Sequence, residues 1–133
     1  MAEQKTVRSI TGHQFTGDTA QVTLPLVLDG AVAADSISVI EGETFTISDV
    51  IIGGQATPTY WQIQQTDNGS DWYVIAYFGT QTYYASSGVP SSRYSYNTGL
   101  VIVGSATTAF RVRVQTPGGS TIVHCTLRGY SAP

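Results

Sequence analysis

Cysteine, charge and helical pattern are all scarce in this chain. The single cysteine among 133 residues, Cys125, excludes an intramolecular disulfide. That removes the staple on which small extracellular all-β domains often rely. Charged residues make up only 11% of the chain, against roughly 25% in ordinary globular domains. The formal charge of −3 argues against nucleic acid as a partner, because such proteins normally carry a basic stripe. Arg111 and Arg113 alternate on one segment but extend into no larger basic patch. No run approaches the ~18 apolar residues of a membrane span. The N-terminal stretch MAEQKTVRSITGHQFTGDT lacks the apolar centre of a signal peptide. The expectation is a protein made in a reducing cytoplasm, with neither membrane nor nucleic acid as partner. So few surface charges leave a free monomer poorly solubilised, which is tolerable where partners cover much of the surface.

What the chain has is strand pattern. No window places apolar residues at i, i+3, i+4 and i+7 without β-branched crowding or Gly and Pro breaks. From Val22 onward the sequence reads as short strands: Val22–Leu28, Ser36–Ile40, Thr44–Ile52, Tyr60–Gln65, Trp72–Phe78, Gln81–Tyr84, Leu100–Val103, Phe110–Thr116 and Thr121–Leu127. Such spacing, with Gly, Pro and Asn between, indicates a sandwich or barrel. Pro25 assigns Val22–Leu28 to an edge. Met1–Thr19 is polar without alternation and is expected as an extended N-terminal arm. Residues 20–133 form one β-sandwich domain, and Ser86–Gly99 a long loop.

Two stretches propose their own registers. Folding Tyr60–Phe78 about Asn68-Gly69, a strong type I′ signal, sets Trp61 against Ala76, Ile63 against Val74 and Gln65 against Trp72. Folding Phe110–Leu127 about Gly118-Gly119 sets Phe110 against Leu127, Val112 against Cys125 and Val114 against Val123. The period of two then sorts the side chains. Trp61, Ile63, Trp72, Val74, Phe110, Val112, Val114, Val123, Cys125 and Leu127 are expected in one core. Tyr60, Tyr73, Ile75, Tyr77, Arg111, Arg113, Ile122 and His124 are expected on the opposite face.

From Val39 to Leu127 the order of signals resembles an immunoglobulin-like domain. Glu41–Asp49 (EGETFTISD) is similar to the entry of its strand B, with Asp49 at the place of the first cysteine. Trp61, twelve residues on, looks like the core tryptophan of strand C. Leu100 and Ile102 look like strand E, and Phe110 and Val112 stand where the strand F tyrosine and second cysteine would be. The resemblance therefore implies an immunoglobulin-like or related β-sandwich without the inter-sheet bridge. Phe110 also lacks the hydroxyl of a tyrosine corner. Disulfide-free, Thr/Ser/Gly-rich sandwiches of this kind resemble virion proteins of tailed phages, among them capsid decoration or cement proteins and tail appendages. That resemblance implies virion localisation, a major capsid protein or other virion protein as partner, and a homo-oligomer or symmetric array.

The residues of common catalytic sites do not converge. His13 lies in the expected arm, and His124 projects opposite Cys125 because neighbours on a strand alternate faces. A nucleophile without a base beside it is inert, so no catalytic residues are assigned. Asp67, Asn68 and Asp71 crowd one turn without the spacing of a calcium loop. They read as turn chemistry, as does the formal glycosylation sequon at Asn68, and neither metal nor cofactor is expected. Asp49 would point inward on the alternation of Phe45 and Ile47. Burial of an unpaired carboxylate is costly, so a bend in the strand or nearby Ser/Thr and backbone donors are expected there.

Two surfaces remain. The face bearing Tyr60, Tyr73, Ile75, Tyr77, Arg111, Arg113, Ile122 and His124 is rich in the residues interfaces favour. It is either an assembly surface or the seat of Val22–Leu28 folded back across it. Tyr83, Tyr84, Arg93, Tyr94 and Tyr96 have paratope-like composition. They are either a ligand loop, which would make the chain a carbohydrate-binding or adhesin module, or an ordered loop packed on its own sandwich.

Overall fold

The computed structural model describes residues 5–16, 21–54, 59–80, 83–84, 90–115 and 121–133. In chain order its strands are β1 Thr6–Thr16, β2 Val22–Thr23, β3 Leu26–Leu28, β4 Ile37–Ser38, β5 Thr44–Gly54, β6 Thr59–Thr66, β7 Trp72–Thr80, β8 Tyr83–Tyr84, β9 Pro90–Val103, β10 Ala109–Gln115 and β11 Thr121–Ala132. They form two antiparallel sheets. One is six-stranded, in the order β3-β1-β11-β5-β9-β8. The other is five-stranded, in the order β2-β10-β6-β7 with β4 also paired to β10.

The chain crosses between sheets at nearly every connection, and among the described strands only β6–β7 and β8–β9 are consecutive strands paired with each other. This is the jelly-roll way of making a β-sandwich, in which closing the layers hides most strand edges. Between the layers lie Ile10, Leu24, Leu26, Ile47, Val50, Ile52, Trp61, Ile63, Ile102, Phe110, Val112, Val114, Val123 and Leu127, each 2% exposed or less. Phe45 and Phe110 meet across that core with ring centroids 5.2 Å apart.

The expected all-β sandwich is present, and several of its expected details are corrected. The hairpin about Gly118-Gly119 does not exist as a ladder. β10 pairs with β6, β2 and β4, whereas β11 pairs with β1 and β5. The two strands stand in opposite layers. Their alternation nevertheless sorts the side chains as expected, because each layer turns one face to the same core. An immunoglobulin-like F–G pair would share one sheet; these strands do not.

The hairpin about Asn68-Gly69 forms, with a different register. Trp61 faces Phe78 and Ile63 faces Ala76, then a bulge intervenes and Gln64 faces Val74, Gln65 faces Tyr73 and Thr66 faces Trp72. The extra residue, Ile75, reverses parity along β7. Trp72 and Val74 therefore leave the core, Val74 being 48% exposed. Ile75, expected outside, packs partly against the core cluster instead. The turn is also not of the paired positive-φ type: Gly69 has φ 85°, and Asn68 does not share that conformation. Asn68 Oδ1 accepts from the backbone N–H of Ser70 and Asp71, and Thr66 Oγ1 accepts from that of Gly69. Side-chain acceptors thus satisfy the loop, and a tight two-residue turn is not needed.

A bulge also resolves Asp49. The register of β5 against both its neighbours shifts between Ile47 and Asp49. Ser48 absorbs the extra residue, so Val50 and Ile52 return inward and Asp49 is only half-buried. The expected bend is there.

Thr6–Thr16, expected in an arm outside the sandwich, is extended but lies inside a sheet. It pairs along its length with β11 and at Ile10–Gly12 with β3. Ile10 is 1% exposed and is the one buried hydrophobic side chain among those of this strand that are described, which gives alternation little to register. The Ser86–Gly99 loop is likewise strand from Pro90 onward. Val22–Leu28 divides about Pro25 into β2 and β3, which edge different sheets; Leu24 between them and Leu26 at the start of β3 are fully buried.

Candidate interface on the outer face of the second sheet

The outer face of β10, β6 and β7 gathers aromatic and guanidinium side chains in register. Arg111 stands opposite Gln64, and Gln64 opposite Val74; Arg113 stands opposite Gln62, and Gln62 opposite Tyr77. Strand alternation makes Tyr60, Gln62, Gln64 and Thr66 neighbours on this face, and the β7 bulge brings Trp72 and Val74 beside them.

A polar ladder fixes the centre. Arg111 Nε donates to Gln64 Oε1 at 2.8 Å, and Gln64 Nε2 donates to Gln62 Oε1 at 2.8 Å. The Arg111 guanidinium lies 4.2 Å from the centroid of the Trp72 ring. Such stacking suits a planar, weakly hydrated cation. Arg113 Nη2 donates to the carbonyl of Gln21 at 3.1 Å, while its Nε is buried without a partner among the described residues. Burial, and secondarily the charge of Arg113, lowers the pKa of Arg111. Arg111 stays cationic all the same, since an arginine starts so high. Among the described residues the one ion pair is Arg8–Asp29, at 2.9 Å. Arg111 and Arg113 thus have no carboxylate partner among the described residues.

Beside this ladder the face is apolar and open. Tyr60 and Tyr77 stack at 6.0 Å with 30° between ring planes. Tyr60 is 40%, Val74 48% and Tyr77 57% exposed. β2 borders the face at β10, reaching Arg113 and Val114, and does not lie across it. Of the two readings of Val22–Leu28, folding back over the rings is therefore overturned. Its own apolar residues Leu24 and Leu26 are buried in the core instead.

Of the residues expected on one face, Tyr60, Tyr77, Arg111 and Arg113 come together. Ile75 turns inward at the bulge. Tyr73 sits at the tip, where its hydroxyl donates to Asp67 at 2.7 Å. That bond lowers the Asp67 pKa and raises that of Tyr73. His124 is exposed and Ile122 shares its strand, but β11 belongs to the other sheet, so neither joins this face. The side chain of Ile122 lies outside the described residues. Gln62 and Gln64 lie on this face as the alternation of Tyr60–Gln65 expects, whereas Trp72 and Val74, expected in the core, join it. Their signal was the unbroken apolar run of β7, which period-two reading cannot parse once a residue is inserted.

The expected ligand-loop residues fare differently. Tyr83 and Tyr84 pair with Ser91 and Pro90, and Arg93 and Tyr94 face Gly53 and Ile52. The side chains of these four lie outside the described residues. Tyr96 is half-buried with its ring 4.7 Å from that of Phe78, so it packs on the sandwich and lines no loop. Cys125 is 2% exposed, and burial pushes its thiol pKa up to about 12. A thiol held that far from ionisation is no nucleophile at neutral pH. Among the described residues no group of three or more His, Cys, Asp or Glu could hold a metal ion.

No protein-family profile and no curated protein sequence matches the chain. Solved structures do. The crystal structure of murine APRIL at pH 8.0 is 9% identical, with a TM-score of 0.53 over 92% of this chain and 98% of that one. Eiger TNF from S. frugiperda is 14% identical, with a TM-score of 0.41 over 88% and 91%. A chain of the cyanophage Pam1 capsid asymmetric unit is 12% identical, with a TM-score of 0.40 over 96% and 85%. Likeness at such identity is a likeness of fold, and the first of these supports the jelly-roll sandwich.

Proposed function

We propose that the chain is a non-enzymatic structural protein of a virion, decorating or cementing a phage capsid through the outer face of the second sheet. The observation that carries this reading is the open Tyr60–Tyr77 stack beside two arginines that have no counter-ion among the described residues. In a chain with 11% charged residues, two guanidiniums on one apolar face, neither ion-paired among the described residues, are unusual. A solvated sheet face carries Thr, Lys and Glu, whereas protein interfaces concentrate Tyr, Trp and Arg. The partner face is expected to be apolar with acidic groups placed for Arg111 and Arg113. Repetition over a symmetric shell lets modest contacts sum to stable occupancy. Thr6–Thr16 pairs within a sheet, so this reading assigns the docking to the outer face of the second sheet and not to an N-terminal arm.

Co-sedimentation with capsids of the source virus tests the reading. Tyr77→Ala and Arg113→Glu are each expected to weaken binding by about 2 kcal/mol or more, as for central interface residues. Unchanged occupancy for both would refute it.

A further inference from the structure

We infer that Asn68 is a latent deamidation site, which the turn between β6 and β7 holds shut through Thr66 and Asp71. This does not rest on capsid binding, and the two stand or fall separately. The chain has two asparagines, Asn68 and Asn97, and only Asn68 precedes a glycine. A glycine there leaves its backbone nitrogen unshielded by any side chain, so the Asn68 carboxamide is open to attack by its own chain.

The reaction is internal. The backbone nitrogen of Gly69 adds to Cγ of Asn68, the Cγ–Nδ2 bond breaks, and Nδ2 leaves as ammonia carrying the Gly69 amide proton. Water then opens the resulting succinimide at either carbonyl, which leaves an aspartate or an isoaspartate in place of the asparagine. Nothing is oxidised or reduced, and water is the one co-reactant.

In an open chain nothing hinders this approach, but in the fold each reacting group is tied to another partner. The Gly69 N–H, which must give up its proton, donates to Thr66 Oγ1 at 3.0 Å. The Asn68 carboxamide is held at both ends. Its Oδ1 accepts from the backbone N–H of Ser70 and Asp71 at 2.9 and 2.8 Å, and from Thr66 Oγ1 at 3.2 Å. Its Nδ2, the leaving group, donates to Asp71 Oδ2 at 2.7 Å. Donors on Oδ1 would steady the charge of an adduct, so they do not settle the outcome by themselves. Direction does. A carboxamide bonded to the amides two and three residues on is drawn past the Gly69 nitrogen, and near-attack geometry is lost.

Thr66 is where both reacting groups converge, and it is 1% exposed. The turn also rests on the loop before β10. Thr107 Oγ1 donates to the carbonyl of Asp67 at 2.5 Å, and Gly69 lies beside the Thr107 side chain. Attack therefore awaits a local opening that breaks these contacts together, and the rate falls with the fraction of time the turn is open. Deamidated chains then record turns that have opened.

Peptide mapping by mass spectrometry, with Asn97 as internal reference, tests this on the full chain incubated at neutral pH. Asn68 in the folded protein is expected to deamidate at least about tenfold more slowly than in a synthetic peptide of the β6–β7 turn sequence. Thr66→Val removes the shared hydroxyl and should bring the rate toward that of the peptide, whereas Thr66→Ser keeps the hydroxyl and should stay slow. Asp71→Ala, at an exposed position, frees Nδ2 and should accelerate the reaction with Thr66 untouched. Val123→Ala opens a cavity from the opposite sheet and is the comparison for general destabilisation. It should leave Asn68 slow while thermal unfolding verifies that the variants remain folded. A wild-type rate equal to or above that of the peptide would overturn the inference. So would Thr66→Val and Asp71→Ala both reacting no faster than wild type, or Val123→Ala reacting as fast as Thr66→Val.

Discussion

The two tryptophans have opposite fates despite similar surroundings in sequence. Trp61 is 1% exposed between the layers, and Trp72 lies half-buried outside under Arg111. Trp61→Ala is expected to cost ~3–5 kcal/mol, as for large aromatic truncations in a core. Trp72→Ala should cost less than half as much, because it loses one cation–π contact and partial burial. Denaturant unfolding of both variants checks the difference, and equal costs would refute the bulge.

Asp29 offers a prediction in pH. Its carboxylate accepts from the Ser9 backbone N–H and from Arg8 Nη1, both at 2.9 Å, and it adopts φ 49°. The Ser9 bond, then the Arg8 bond, lowers its pKa below the ordinary 3.8. A depressed carboxylate contributes stability above its unfolded pKa and loses it as pH falls through the folded value. Asp29→Asn should therefore be less stable than wild type above about pH 4. Thermal melts should converge as the pH drops further. A gap that persists unchanged in acid would show that the charge is irrelevant.

At the scale of elements, bulges decide more than propensities do. β5 and β11 each run across an irregularity near Ser48 and Arg128/Gly129. There a Cβ on Gly129 would collide with the carbonyl of Thr46. That obstacle is backbone and cannot swing aside, so Gly129→Ala is expected to cost 1–3 kcal/mol or more, the usual cost of overpacking. Amide exchange along β5 should rise with it. An exchange pattern identical to wild type would mean the strands slide past one another freely.

The same scale shows what pattern reading delivers. β10 alternates cleanly because it is central and regular, so Phe110, Val112 and Val114 were legible as core. β7 defies a period-two reading beyond its bulge, and in β1 the polar run around Ile10, its one buried hydrophobic side chain among those described, makes no period.

Across the whole molecule, the two chain ends hold each other. β1 and β11 pair from Thr6–Ser131 to Thr16–Thr121. Gly12 leaves room there for Leu24, whose Cδ2 would be 2.5 Å from an added Cβ. Deleting residues 1–16 would strip β11 and β3 of a shared neighbour and open long free edges. The truncated chain is expected to lose its near-UV circular dichroism or to aggregate. A truncation that melts cooperatively near the wild-type temperature would restore the arm as a separate segment.

The sequence by itself determined that the protein is all-β, which residues of β6, β10 and β11 face the core, and that tyrosines and arginines gather outside. Alternation encodes whether a side chain points toward apolar surroundings, and that survives any choice of partner strand. Only the tertiary structure decided that β10 and β11 belong to opposite sheets, that Trp72 lies outside, and that the N-terminal strand is interior to a sheet. Those outcomes depend on backbone hydrogen bonds between distant segments and on single inserted residues. Neither leaves a periodic trace, because a strand's pattern records its distance from the core and not the identity of its neighbour.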